Sequence, residues 1–319
     1  MKLVLAGSSD FAIPSLKILA SQQKHPLIGV ITQPDSKKGR GLTESMPSVK
    51  IEALKYALRI WQPESINTPE FAEEIKNTGV DLIVVASYGQ LISDAFLKIP
   101  PKGCINIHPS LLPKYRGSSP INHTILNGDK QTGITIFKIV KKMDAGPIIK
   151  QLSVDIKDNE TAVTLGAKLA ELSSLMLPEL FDGIEKGTIK LTPQDESKVT
   201  FAPKFSKKDG EIDWGKSSRE IGNQIKALQP WPGVYTYFQP IGKSSLKLEI
   251  CEAAEYINEK EYESAAGTLV EIKDGILIFL CRDNSKLMIT KLKPAGGRTL
   301  TSREFISGYR IKIGDKLGK

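Results

Sequence analysis

Short apolar runs alternate with helix-period segments through the first part of the chain. Lys2-Leu-Val-Leu-Ala-Gly7, Leu27-Ile-Gly-Val-Ile-Thr32 and Asp81-Leu-Ile-Val-Val-Ala86 read as buried strands, and Pro14–Ser21, Val49–Leu58 and Pro69–Lys76 as helices between them. Strands and helices taking turns in this way predict a Rossmann-like, doubly wound, mostly parallel sheet. From Thr161 to Lys186, apolar residues recur at Val163, Leu165, Ala167, Leu169, Leu172, Leu175, Met176, Leu180 and Ile184, which predicts one long helix ended by Gly187. Residues 190–206 turn polar and proline-bearing and read as a linker. Beyond them the period changes. One helix, Ser218–Leu228, precedes short runs at 234–238, 246–250, 267–272, 276–281 and 286–293, several alternating apolar and polar residues between turn signals. That pattern predicts a small OB-like β-barrel of five strands. The expected organisation is therefore a catalytic domain over 1–189, a linker over 190–206 and a barrel domain over 207–319.

Composition narrows the class without deciding it. With 319 residues, 40% hydrophobic and 25% charged, the chain is ordinary globular material for two domains. Its three cysteines form no CxxC pair, which argues against a disulfide framework and a cysteine-based zinc site. No run is long and apolar enough for a membrane span, and the first strand begins without a signal-like segment, so a cytoplasmic, monomeric protein is expected. The net charge of +8 favours an acidic partner. From Lys286 onward, nine basic residues, among them Lys291, Lys293 and Arg298, face only Glu304 and Asp315, whereas acids collect between Glu249 and Glu263. Such segregation would make a polar field suited to a phosphate backbone. Lys37, Lys38 and Arg40, flanked by Gly39 and Gly41 in the polar stretch 33–47, form a second candidate phosphate contact.

The chemistry concentrates in residues 103–117, Gly-Cys-Ile-Asn-Ile-His-Pro-Ser-Leu-Leu-Pro-Lys-Tyr-Arg-Gly. Side chains two apart on a strand project together, so Asn106 and His108 share a face, and Pro109 ends the strand at the sheet's carboxyl edge. Open α/β sheets bind ligands at that edge. Asp144, in Met143-Asp-Ala-Gly-Pro147 after the apolar run 133–140, supplies a carboxylate from another strand-end loop. An amide donor, an imidazole and a carboxylate suit acyl transfer to an amine: one stabilises an oxyanion, one moves a proton, and one orients and charges the imidazole. The first strand turn lacks G-x-G-x-x-G, which gives a dinucleotide site little support.

Asn106-x-His-Pro-Ser-Leu-Leu-Pro-x-Tyr-Arg-Gly117 followed by Asp144-x-Gly-Pro147 resembles the signature of the 10-formyltetrahydrofolate-dependent formyltransferases. The likeness extends over nearly the whole chain. Ala6-Gly7, Asp10-Phe-Ala12, Thr32-Gln-Pro-Asp35, Gly39-Arg-Gly41, Ala86-Ser-Tyr-Gly89, Ile212-Asp-Trp214, Pro230-Trp-Pro232 and Pro294-Ala-Gly296 all take part, while Ser8-Ser9 stand where the family usually has Thr-Pro. The resemblance implies formyl transfer from 10-formyltetrahydrofolate to the α-amine of a methionyl group on aminoacylated initiator tRNA, for translation initiation, with no metal. It implies catalysis by Asn106, His108 and Asp144, with a protonated His108 beside the oxyanion. Ser110, Leu111, Leu112, Pro113, Tyr88, Gly89 and Leu91 would line the folate site. Lys37, Lys38 and Arg40 would meet the tRNA acceptor end, and Lys291, Lys293 and Arg298 would grip its body. Other acceptors within the family, such as aminosugar nucleotides or glycinamide ribotide, remain open, as do folate-dependent hydrolysis and a non-catalytic RNA-binding role.

Overall fold

The computed structural model describes residues 1–38, 43–239 and 244–318, without the side chains of residues 37, 38, 43 and 44. The chain divides into two compact units, one of residues 1–120, 131–156 and 164–203 and the other of 121–130, 157–163 and 204–319.

In the first unit, strands β1 (Leu3–Gly7) and β2 (Leu27–Ile31) are followed by a small hairpin, β3 (Ser36–Lys38) and β4 (Thr43–Ser45), then β5 (Arg59–Trp61), β6 (Leu82–Ala86), β7 (Cys104–His108), β8 (Gln131–Lys138) and β9 (Ile148–Asp155). Seven of them form one sheet in the order β5-β2-β1-β6-β7-β8-β9. Pairing is parallel from β5 to β7 and antiparallel at β8 and β9. Every residue of β1 and of β6 is buried, as expected for strands covered on both faces. From β1 the chain winds outward to β2 and β5, then returns to β6 on the other side of β1. The order reverses between β1 and β6, and a crevice opens at such a reversal outside the carboxyl ends of the strands. His108 ends the next strand along.

Two local expectations fail for identifiable reasons. The single helix expected over 161–186 is two, Ala162–Leu175 and Leu177–Lys186, because Pro178 lacks an N–H and its ring clashes with the carbonyl four residues back. Gly187 does end the second, at φ 70°. The segment read as a linker is bonded into the first unit through residue 203: Thr192 exchanges backbone bonds with Ile148, the Thr200 carbonyl accepts from Arg116 N–H, and Ala202 N–H donates to the Arg116 carbonyl. Gly117 shows how closely this strap lies, since a Cβ there would stand 2.7 Å from the Ala202 carbonyl oxygen.

In the second unit, β10 (Tyr235–Phe238), β11 (Leu246–Glu255), β12 (Leu269–Lys273), β13 (Ile276–Leu280), β14 (Lys286–Pro294) and β15 (Leu300–Thr301) make a six-stranded antiparallel sheet in the order β10-β11-β14-β13-β12, with β15 beside β14. Leu248, Ile250, Leu277, Phe279, Leu287 and Ile289 are buried within it. The edges are joined by residues 315–318: Leu269 N–H donates to the Asp315 carbonyl, Leu317 N–H to that of Gly267, and Gly318 N–H to that of Tyr237. The helix Ser218–Leu228 opens with a capping box between Ser217 and Glu220.

Candidate active site

β7 carries Asn106 and His108 to the sheet edge between β6 and β8, with Val85 and Phe137 flanking Asn106 and Thr135 beside His108. Cys104 shares their face but is buried among apolar side chains, which pushes its thiol up to about 12 and makes it an inert core residue. Asn106 is half-buried, and its amide is not tied up by any side-chain bond among the described residues.

The His108 ring is buried, with Nε2 2.9 Å from the Tyr115 carbonyl oxygen and its edge against Phe137. A carbonyl oxygen carries no proton, so Nε2–H donates and the neutral ring keeps its lone pair on Nδ1. Nδ1 lies 3.8 Å from Asp144 Oδ2. Burial lowers the imidazole's pKa; the nearby Asp144 carboxylate and the Tyr115 carbonyl oppose that shift without overcoming it. The ring is neutral near pH 7 and presents one basic nitrogen beside a carboxylate.

Asp144 sits in a left-handed conformation, φ 50°. Its Oδ2 accepts from Gly117 N–H at 2.8 Å. Its carbonyl and that of Gly146 each accept from Gln194 Nε2 at 2.8 Å. Gly146 is required by packing, since a Cβ there would fall 1.7 Å from the Lys138 carbonyl oxygen. Gln194 Oε1 in turn accepts from Arg116 Nε and Nη2, at 3.1 and 2.8 Å. Arg116 is 1% exposed, and its Nη2 lies 2.8 Å from Glu196 Oε1. Arg116 and Lys142 hold the Glu196 carboxyl down to about 2. Sequence reasoning assigned no role to Arg116, Gln194, Glu196 or Thr200. An arginine inside a turn motif was the one visible signal.

The loop after β7 is internally bonded. Ser110 Oγ donates to the Lys114 carbonyl, Thr135 Oγ1 to that of Ser110, Leu112 N–H to Thr135 Oγ1, and Gln151 Nε2 to the Leu112 carbonyl. Of the residues expected at a folate site, Ser110, Leu112 and Tyr88 are buried. Among the described residues the Tyr88 hydroxyl has no partner; burial raises its pKa to about 12, and its carbonyl accepts from Ser8 Oγ and Gln33 Nε2. Ser8 and Ser9, the departures from the family pattern, thus knit the first turn to Ser87 and Tyr88, Ser9 Oγ lying 2.7 Å from Ser87 Oγ. Leu111 and Pro113 are half-buried, Gly89 turns the chain at φ 91°, and Leu91 is 77% exposed.

The basic candidates divide differently. Lys37 and Lys38 lie on β3, and Arg40 lies outside the described residues. Lys291 Nζ is 2.8 Å from Glu252 Oε1, Lys293 Nζ 3.8 Å from Glu249 Oε2, and Arg298 Nη2 2.7 Å from Glu304 Oε1. Antiparallel pairing of β11 with β14 sets Glu252 opposite Lys291 and Glu249 opposite Lys293, so charges segregated along the chain are interleaved in space. Lys286 is buried over the Tyr262 ring and donates to the Asn258 carbonyl, which removes it from any basic face. Among the described residues, His25, Asp182 and Glu185 have metal-ligand spacing, yet Lys24 and the Met1 amine already pair with the two acids.

The family described as formyl transferase matches residues 1–181, and its C-terminal domain matches 204–310. The methionyl-tRNA formyltransferase of Ruminiclostridium cellulolyticum is 37% identical over 320 residues, spanning 100% of both chains. That of Halothermothrix orenii is 39% identical over 325 residues, again 100% of both. Among solved structures, an N-formyltransferase from Helicobacter canadensis in complex with folinic acid and dTDP-3-aminofucose superposes with a TM-score of 0.65 at 20% identity, covering 91% of this chain and 98% of that one. HypX from Aquifex aeolicus in complex with tetrahydrofolic acid superposes with a TM-score of 0.61 at 16% identity, covering 99% and 50%. Likeness at this level of identity speaks for the fold.

Proposed function

We infer that this chain, which belongs to the formyltransferase family, moves the formyl group of 10-formyltetrahydrofolate onto the α-amine of methionyl-tRNA, the acceptor carried in the names of its full-length relatives. The observation that carries the chemistry is the His108 ring, pinned through Nε2–H and open at Nδ1 beside Asp144, on the same strand face as Asn106.

The amine attacks the formyl carbon, and the carbonyl oxygen becomes an oxyanion. Asn106 donates to that oxygen. His108 Nδ1 takes the proton the attacking nitrogen sheds, and Asp144 stabilises the imidazolium so formed, an opposite charge favouring the charged ring. His108 then returns the proton to folate N10 as the carbon–N10 bond breaks, which releases tetrahydrofolate and restores the neutral ring. The histidine begins as a base and acts as an acid only after it has been charged.

The folate would lie along Gly89, Leu91, Leu111 and Pro113, with Ser110, Leu112 and Tyr88 shaping the wall behind. Catalysis is assigned to the domain expected over 1–189 together with the strap bonded to it through residue 203, and RNA contact to the barrel over 207–319. Lys37, Lys38 and Arg40 would place the acceptor end, and Lys291, Lys293 and Arg298 the tRNA body. We place the protein in the cytoplasm, as a monomer; no helix among the described residues is long and apolar enough to cross a membrane.

The test offers the protein 10-formyltetrahydrofolate with methionyl-tRNA, free methionine or an aminosugar nucleotide in separate reactions. Formyl-methionyl-tRNA is the expected product. Formylation of the sugar alone would replace the proposed acceptor.

A further inference from the structure

Two residues of the loop after β7, Tyr115 and Gly117, reach the two groups that the proposed chemistry pairs, and Arg116 between them reaches the segment that holds the Asp144 loop. The Tyr115 carbonyl accepts from His108 Nε2, the Arg116 side chain reaches Gln194, and Gly117 N–H donates to the Asp144 carboxylate. We propose that Arg116 and Gln194 are positioning residues that hold Asp144 in register with His108, Gln194 clamping the main chain of the Asp144 loop and Arg116 dictating which way the Gln194 amide points. The inference rests on the roles given above to His108 and Asp144.

Arginine has only donors, so the two bonds from Arg116 must fall on the Gln194 oxygen. That orientation turns the Gln194 amide nitrogen toward the loop, where it meets the carbonyls of Asp144 and Gly146. Asp144 holds a left-handed backbone conformation that few residues other than glycine adopt, and the strap 50 residues on bonds its carbonyl there, beside the Gly117 N–H on its carboxylate. Glu196 balances Arg116 and also takes Lys142 from the Asp144 loop at 2.7 Å, a second tie between the same two segments.

The polarity of this chain of bonds makes it testable. In Gln194→Met the volume is kept and both sets of bonds are lost. In Gln194→Glu Arg116 keeps its acceptor, but the donors to the loop carbonyls are gone. In Arg116→Lys the fork that orients the amide is lost. With the full-length protein, formylation turnover should fall about 100-fold in both Gln194 variants, the cost of a small misplacement at a reacting centre. KM for the folate and for the tRNA should stay close to wild type, and Arg116→Lys should fall between.

A second readout does not depend on turnover. The chain has three histidines, so the His108 ring can be followed through a pH titration by NMR and assigned with His108→Gln. The groups facing the imidazole among the described residues are the Asp144 carboxylate, the Tyr115 carbonyl and the Phe137 ring. Asp144 is the charged group among them. If the clamp sets its place, releasing it weakens the carboxylate's pull on the proton, and the His108 midpoint moves further down in Gln194→Met and Gln194→Glu. A purely structural role would lower the melting temperature and leave the midpoint and turnover alone, and that result would overturn the proposal. If Gln194→Met does not fold, Gln194→Glu, which keeps Arg116 paired, decides the matter. If the wild type transfers no formyl group, the titration still tests the clamp while the functional reading fails separately.

Discussion

The loop at the end of β7 and the basic strand β14 both stand out along the chain, and folding treats them in opposite ways. At β7, groups far apart in sequence converge: His108 and Asp144 lie 3.8 Å apart, with the imidazole buried and its Nδ1 open. At β14, lysines that crowd together in sequence are separated by their partners, because antiparallel pairing delivers Glu252 and Glu249 to Lys291 and Lys293. Reactive side chains gain from convergence, since a dry site magnifies their mutual electrostatics. Exposed charges gain little from a paired neighbour, and the pair must open before a phosphate can take its place.

The sharpest way to break this contrast is at the strand end. Asn106→Ala removes an oxyanion donor and should cost about 100- to 1000-fold in single-turnover formylation, and Asp144→Ala should cost as much or more. Rates near wild type would show that the convergence is architectural. The next effect lies in the pH dependence. His108 is neutral in the resting site, so kcat/KM should fall about tenfold per pH unit below its depressed pKa and stay level above it until another group titrates. A rate that rose on acidification would return the protonated ring to the resting state. The same shift has a stability consequence. The unfolded chain binds this proton at about pH 6.5, higher than the folded one does, so the stabilisation is present above that value and is lost as the pH falls through the folded pKa. Urea titrations at several pH values should show the acid loss reduced in His108→Gln.

Smaller effects are expected at β14. Replacing Lys291, Lys293 and Arg298 by Ala should flatten the salt dependence of tRNA binding and raise the apparent KM while leaving saturated turnover alone. Because each is paired, the slope should change by less than three unpaired cations would give. The complementary variant is more discriminating: Glu249→Gln with Glu252→Gln frees both lysines and should tighten tRNA binding and steepen its salt slope. Unchanged filter-binding isotherms for both variants would end the case for β14 as an RNA contact. The smallest effect is on the fold itself. Lys291 and Glu252 are each about half exposed, so breaking that pair should cost about 0–1 kcal/mol by denaturant titration.

What could be read from sequence follows the same division. Asn106 and His108 were legible as a pair because strand alternation is a local rule, and the seven-stranded sheet was legible because its strands and helices take turns. The hairpin of β3 and β4 was not, since Ser36–Lys38 and Thr43–Ser45 are too short and polar to show a period. The break at Pro178 was visible in the chain, but the apolar stripe ran through it and outweighed it. The protonation state of His108 depends on how much water the fold removes, and the role of Arg116 on partners 78 and 80 residues away. Neither quantity has a local signature. Polar composition likewise hid the strap, because Gln194 is only half-buried and Glu196 and Thr200 are exposed, and their bonds to the first unit leave no mark in the sequence.

That strap sets where this protein can be cut and rejoined. A recombinant hybrid joined at Gly187, where the helix stops and the composition shifts, would import a foreign Gln194, Glu196 and Thr200 and set the guanidinium of Arg116 among strangers. A junction after Pro203 leaves the wiring of the first unit intact. Modularity in this chain is thus a property of its hydrogen bonds, and the working seam lies 16 residues beyond the helix stop at Gly187.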